Sequence, residues 1–324
     1  MKISIVIRCY NEEQHVGRLL EGIFQQTATD VEVIVVDSGS TDATPSIVSR
    51  YPVKTASIKA EEFSFGRSLN LGCMEATGDV IVIASAHVYP MNTDWLDRMV
   101  APFSDPQVAV VYGAQRGNET TKFSEHQVLA KWFPDQSNPH QDDPFCNNAN
   151  AAIRRSVWEQ LKYDESLTGL EDIDCAKRAM DLGQRVAYVA DAQVVHVHNE
   201  SPRMICNRYR REAIALKRIF PQERFSPWDF LRLASANILS DCRQARHDKA
   251  LWRNLYGILS FRLMQFWGTY RGFARRGPVT SQLKRTFYYP NRPIRPGSGG
   301  VETSSPRRIE YTDSTADQGA DRNQ

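Results

Sequence analysis

The sequence predicts an α/β fold, a mixed but mostly parallel sheet flanked by helices, followed by a basic helical region. Two observations carry this. Short β-branched runs alternate with helical spacing through the first 200 residues, the layout of strand–helix–strand units. The charge then reverses: residues 1–202 hold 17 Lys and Arg against 28 Asp and Glu, whereas residues 203–295 hold 20 against 5.

The strand candidates are Ile3–Ile7, Val31–Val36, Val80–Ala84, Val108–Tyr112, Arg185–Ala190 and Gln193–Val197. Between the first two, Val16, Leu19, Leu20, Ile23 and Phe24 recur on one face of a helix, with Asn11 as the expected N-cap. From about Ser201 long helical stretches follow, divided by Pro221 and Pro227 and ended by Pro278, and Pro290–Pro296 reads as extended. The expected organisation is an α/β domain over 1–202, a basic aromatic-rich helical region over 203–295 and a disordered tail over 296–324, which has almost no large apolar residues.

A hydrophobic content of 41% is enough for a core in 324 residues. No run approaches the roughly 18–20 apolar residues of a spanning helix. Met1 leads into a strand-like run too short for a signal-peptide core, so a cytoplasmic protein is expected. Six scattered cysteines with no Cys-x-x-Cys pair fit reduced thiols and argue against a disulfide framework or a structural zinc site.

In a parallel sheet, ligands sit at the carboxyl ends of the strands. The first two ends read Arg8-Cys9-Tyr10-Asn11-Glu12-Glu13 and Asp37-Ser38-Gly39-Ser40-Thr41-Asp42. An Asp among small hydroxyl residues suits the base and ribose of a nucleotide; the competing reading is an Asp-Ser-Gly turn capping the next helix. Neither loop carries a dinucleotide or Walker glycine pattern.

The ordered pair of motifs, Tyr10-Asn11-Glu12-Glu13 and then Val35-Val36-Asp37-Ser38-Gly39-Ser40-Thr41-Asp42-Ala43-Thr44, resembles the family 2 glycosyltransferases of GT-A fold over about residues 1–200. The resemblance implies a Rossmann-like sheet and a nucleotide-sugar donor held by Arg8, Tyr10, Glu12 and Asp37. Ser38 stands where many members carry a second Asp. It brings Arg67 and Asn70 toward the donor, with Arg67 pairing to diphosphate; a surface Arg67 beside a buried Asn70 is the alternative.

After Val80–Ala84 the family carries Asp-x-Asp, which holds a divalent metal, but this chain reads Ser85-Ala86-His87. Ser85 and Ala86 then line the donor, and His87 takes the position of the direct ligand. Downstream, His196 and His198 share one face of a strand. His87 with His198 or His196 is therefore a candidate site for Mn²⁺, or for Mg²⁺, which prefers oxygen ligands. Merely hydrogen-bonded histidines are the competing reading, with Arg and His cations then neutralising the diphosphate.

Inverting transfer needs a carboxylate to deprotonate the acceptor. Thr168-Gly169-Leu170-Glu171-Asp172-Ile173-Asp174 matches the family's acidic pair at a helix start. Thr168 and Glu171 also read as a capping box, leaving Asp172 as base, Glu171 as its understudy and Asp174 as helix support. Tyr112-Gly113-Ala114-Gln115 and the Phe145–Arg155 segment are similar to a pattern in bacterial rhamnosyltransferase-like members. They offer Gln115, Asn147 and Asn148 to sugar hydroxyls.

The expected function is inverting transfer from a nucleotide-sugar donor to a glycan or lipid-linked acceptor in surface-polysaccharide assembly. The alternative is a catalytically silent GT-A scaffold, which the missing Asp-x-Asp keeps open. Arg and Lys mixed with Trp228, Trp252, Tyr256 and Trp267 point to an anionic membrane surface rather than nucleic acid. The expected place is peripheral, at the inner face of the cell membrane.

Overall fold

The structure, a computed structural model, describes residues 1–277 and 279–288. Its strands are β1 (Ile3–Cys9), β2 (Val31–Asp37), β3 (Lys54–Ser57), β4 (Val80–Ser85), β5 (Val88–Pro90), β6 (Val108–Arg116), β7 (Asn150–Arg154) and β8 (Arg185–His196). They form one sheet in the order β3-β2-β1-β4-β7-β6-β8-β5. The first four positions are parallel, β7 is antiparallel to both neighbours, and β8 runs parallel to β6 but antiparallel to β5.

β1, β2 and β4 are near-continuous β-branched runs because both sheet faces are covered. Val80, Val82 and Ala84 enter one core with α1 (Val16–Phe24), α2 (Thr44–Val48) and α4 (Trp95–Val100). Ile81 and Ile83 enter the other with α3 (Phe65–Glu75), α5 (Phe123–Trp132), α6 (Arg155–Leu161) and α7 (Glu171–Asp181).

The two expected strands Arg185–Ala190 and Gln193–Val197 are one, β8. Asp191-Ala192 supplies no turn, and a shift of register against β6 between Gly113 and Gln115 absorbs the irregularity. Only glycine fits at Gly113, where a Cβ would lie 2.2 Å from the Ala192 carbonyl oxygen. β3 and β5 have four and three residues. β7 reads Asn-Ala-Ala-Ile-Arg, poor in β-branched side chains, and is a strand because of its place between β4 and β6.

Asn11 does not cap α1, which begins at Val16 without a side-chain cap. At φ 54 it takes the left-handed conformation. Its side chain accepts from the Thr41 N–H at 2.8 Å and its own N–H donates to Ser40 Oγ at 2.9 Å, tying the β1 loop to the β2 loop. The expected capping box at α7 is also absent. Leu170, at φ 57, is the N-cap residue and has no side-chain cap, while the Thr168 hydroxyl donates to the Arg211 carbonyl at 2.9 Å.

Four helices follow among the described residues: α8 (Pro202–Ile219), α9 (Pro227–His247), α10 (Leu251–Phe273) and α11 (Ser281–Tyr288). Ser201 and Ser226 cap α8 and α9, with Ser226 and Asp229 forming a capping box. α10 packs on α8 and α9 and touches α5. At that junction the buried Arg262 guanidinium donates to Asp241 at 2.7 and 2.9 Å, to Gln265 at 2.9 Å and to the Ser124 carbonyl at 3.4 Å. Asp241→Ala would strand a buried cation. It should cost about 3–5 kcal/mol in urea unfolding, and a cost under about 1 kcal/mol would show the pair to be slack.

No helix among the described residues is long and apolar enough to cross a membrane. The expected Pro278 boundary, the extended Pro290–Pro296 and the tail 296–324 lie outside the described residues.

Candidate active site

The ends of β1, β2 and β4 form one edge: Cys9 pairs with Asp37, and Arg8 with Val36 and Ser85. β7 runs the other way, so its beginning, after Asn147 and Asn148, reaches the same edge. The start of α7 completes it, for the Asn148 N–H donates to Asp172 Oδ2 at 3.0 Å.

Asp172 Oδ1 accepts from the Ile173 N–H at 2.8 Å. Glu171 is buried, 3.4 Å from Arg8 Nη1 and 3.5 Å from Asn148 Nδ2. The Asp172 residue keeps an open edge, but its carboxyl is hemmed in. Burial first, and the neighbouring Glu171 second, push its pKa up to about 7 against the two amide hydrogen bonds. Asp174 supports the helix through Arg178 at 2.8 Å.

Arg8 and Arg211 both lie over the Phe65 ring, at 4.7 and 4.5 Å. Tyr288 meets Phe63 and Phe65 edge-on at 5.1 and 5.3 Å. α8 and α11 thus close the corner beside the acidic pair.

At the end of β2, Asp37 Oδ2 accepts from the Gly39 and Ser40 N–H groups, both at 3.1 Å. Oδ1 is buried without a partner, an acceptor left over for a ligand N–H. Oδ2 thus makes the expected turn, and Oδ1 is the oxygen still open to the ligand reading. Ser38 is buried behind it, its N–H donating to the Cys9 carbonyl at 2.9 Å.

The three histidines meet. Ring centroids of His87 lie 5.1 Å from His196 and 5.6 Å from His198, and His196 lies 4.0 Å from His198. Each Nδ1–H is donated to a side-chain oxygen: His87 to Glu12 at 2.8 Å, His196 to Gln115 at 2.6 Å and His198 to Glu125 at 2.7 Å. That fixes the tautomer and leaves Nε2 as the free lone pair of each ring. His196 Nε2 is buried and unpartnered.

One ligand atom from each histidine lies within 4.8 Å of the others. Burial above all, with the neighbouring histidines at His196 and Arg208 at both, holds the pKa values of His196 and His198 below the ordinary range, so both are neutral at neutral pH. Glu125 stays ionised: burial opposes this, but His198 and Arg208 hold its pKa down at about 2. Arg208 of α8 lies 2.9 Å from Glu125 and 2.6 Å from Glu200.

Several expected contacts are elsewhere. Asn70 is saturated. Its Nδ2 donates to the Tyr163 carbonyl and to Glu165, both at 3.0 Å, and its Oδ1 accepts from Tyr163 N–H at 2.9 Å and Trp158 Nε1 at 3.2 Å, so nothing remains for a donor. Arg67 is exposed and pairs with exposed Glu62 at 3.5 Å, the surface alternative. The Ala86 methyl is buried in a core.

Gln115 and Glu12 orient histidines, Asn148 holds the acidic pair, and Asn147 closes a turn by accepting from the Ala149 N–H at 2.9 Å. Tyr10 is half-buried in the β1 loop. Phe65, Glu125, Arg208, Arg211 and Tyr288 were not legible as site residues, since nothing local distinguishes Phe-Ser-Glu-His from an ordinary helix start.

Residues 4–162 match glycosyl transferase family 2. The chain is 31% identical over 221 residues to the O-antigen chain rhamnosyltransferase RfbN of Salmonella typhimurium, covering 64% of this chain and 70% of that one. The chain belongs to this family. It is also 32% identical over 196 residues to the O-antigen chain rhamnosyltransferase WbaN of Salmonella anatum, covering 57% of this chain and 62% of that protein, less than two thirds of its length. Within family 2 it is thus rhamnosyltransferase-like.

A solved mannosyltransferase, PcManGT from Pyrobaculum calidifontis in complex with GDP-Man and Mn²⁺, is 20% identical with a TM-score of 0.57, covering 90% of this chain and 88% of that one. At that identity the likeness shows the fold, GT-A. The protein is an inverting glycosyltransferase.

Proposed function

We propose that this glycosyltransferase moves a hexose or deoxyhexose from a nucleoside-diphosphate sugar to a hydroxyl of a glycan or lipid-linked acceptor in surface-polysaccharide assembly. The observation that carries the reading is the Glu171–Asp172 pair at the carboxyl edge of the sheet. Asp172 is oriented by two backbone N–H groups and poised near neutral pH. It takes the acceptor proton on a carboxylate oxygen as the acceptor oxygen attacks the anomeric carbon from the face opposite the nucleotide. Glu171, held by Arg8, keeps a negative neighbour beside it and so preserves its basicity. Asp37 Oδ1 receives the base.

The residues present fit a divalent cation. Three clustered imidazoles, two of them kept neutral by burial and one with a buried orphan Nε2, form a donor set for a manganese-type ion more than for magnesium. His87, His196 and His198 would hold it, and when bound it neutralises charge on the leaving diphosphate. We read residues 1–202 as the catalytic unit. The basic helices then rest, in a salt-sensitive way, on an anionic membrane surface at the cytoplasmic side.

The test is a panel of UDP-, GDP-, dTDP- and CMP-sugars, assayed for hydrolysis with and without Mn²⁺, beside thermal shifts with each free nucleotide. One nucleotide class should be turned over and should stabilise the protein, and Asp37→Ala should abolish the shift. Silence in both assays would return the chain to the scaffold reading.

A further inference from the structure

α10 carries Trp252, Tyr256, Leu259, Leu263 and Trp267 at intervals that place them on one helix face, over about 22 Å. Trp252 is 85% and Tyr256 80% exposed. α9 exposes Trp228, Leu231 and Leu239, of which Trp228 and Leu239 lie on the side of the helix turned away from α10. The two helices lie side by side in opposite directions, since Phe230 meets Trp267 at 5.8 Å and Asp241 meets Arg262 at 2.7 Å. The core-forming side of α10 is separate, through buried Ile258, Phe261 and Gln265.

Basic residues are set among the apolar ones. Arg232, Arg243, Arg246, Lys249 and Arg253 are all exposed, and Arg246 and Lys249 border a shallow hollow with Leu251 and Trp252. We propose that this α10 face, with the α9–α10 turn beside it, lies in the interface of an anionic phospholipid bilayer, with Trp252 and Tyr256 at the headgroup–acyl boundary and Arg246, Lys249 and Arg253 on the lipid phosphates. The assignment gives a definite surface to the membrane-resting, lipid-linked acceptor reading above, and rests on it.

The chemistry selects the occupant. Trp and Tyr pair an apolar body with a polar tip, which suits a membrane interface. Exposed leucines find no partner on a nucleic acid. A second copy of the same face would bring Arg246, Lys249 and Arg253 against their own kind, whereas an anionic bilayer satisfies both the charge and the apolar stripe. The face is also joined rigidly to the site. Arg262 ties α10 to α9 and to the start of α5, where Glu125 orients His198.

The experiment uses the full chain with vesicles of phosphatidylcholine alone or mixed with phosphatidylglycerol, read by flotation and by fluorescence quenching from brominated acyl chains. Trp252→Ser with Tyr256→Ser, and separately Arg246→Glu with Arg253→Glu, should each weaken binding to the anionic vesicles at least tenfold. Wild-type quenching should fall when Trp252 is replaced by Phe. Circular dichroism and donor hydrolysis in solution should be unchanged in both pairs. Variants that bind like wild type overturn the proposal. So do variants that turn a dimer into a monomer by light scattering while vesicle binding persists, which would make the face a self-interface. Vesicle binding without any donor turnover in the wild type would instead overturn the transferase reading and leave the face standing.

Discussion

Asp172→Asn is expected to lower kcat by about 10²–10⁴, the usual contribution of a positioned general base, while donor affinity stays within about twofold. The amide is isosteric and keeps an oxygen for the Asn148 or Ile173 N–H, but has no lone pair basic enough to take the acceptor proton. The wild-type kcat/KM should rise with pH through about 7, as Asp172 loses its proton. Glu171→Gln should move that midpoint downward, because one of the two causes of the raised pKa is removed.

The same shift has a stability consequence of opposite sign. Unfolded, Asp172 titrates near the ordinary value of about 3.9; folded, it holds its proton up to about 7. Its contribution is thus fully present below about 4 and is lost as pH rises through 7. Asp172→Asn should therefore gain more Tm relative to wild type at pH 8 than at pH 5. A pH-independent Tm difference together with a flat rate profile would remove Asp172 from the role of base.

The sequence made the strand ends legible because parallel strands buried on both faces are written as unbroken β-branched runs, and β1, β2 and β4 are such runs. It made the acidic pair and the three histidines legible by motif order and by the two-residue period of β8. What it hid was contributed by distance. β7 is Ala-rich and becomes a strand only between its neighbours. Glu125 looks like any helix-start acid until α5 carries it to His198, and Asn70 looks like a polar site residue until Trp158 and Tyr163 close around it. Asn11 misleads for a related reason: it sits where a cap is wanted, but its bonds run sideways to the β2 loop rather than forward to α1.

The second large effect is expected in metal binding. His87→Ala, at the most open of the three rings, should raise the Kd for Mn²⁺ about 100-fold or more, measured by calorimetry with the nucleoside diphosphate that the donor screen selects. His198→Ala should do the same. Glu125→Gln should raise it about 10–100-fold, since the carboxylate only orients His198 and adds to its basicity. That ordering follows from the geometry, in which each ring has already committed Nδ1 to an oxygen. A purely structural histidine cluster would have no cause to leave a buried Nε2 without a partner, so the orphan nitrogen separates the two readings. Unchanged Mn²⁺ affinity in all three variants would sink the site. Diphosphate neutralisation would then fall to cations already at the cleft, with Arg8 and Arg211 around Phe65 the first to test by charge reversal.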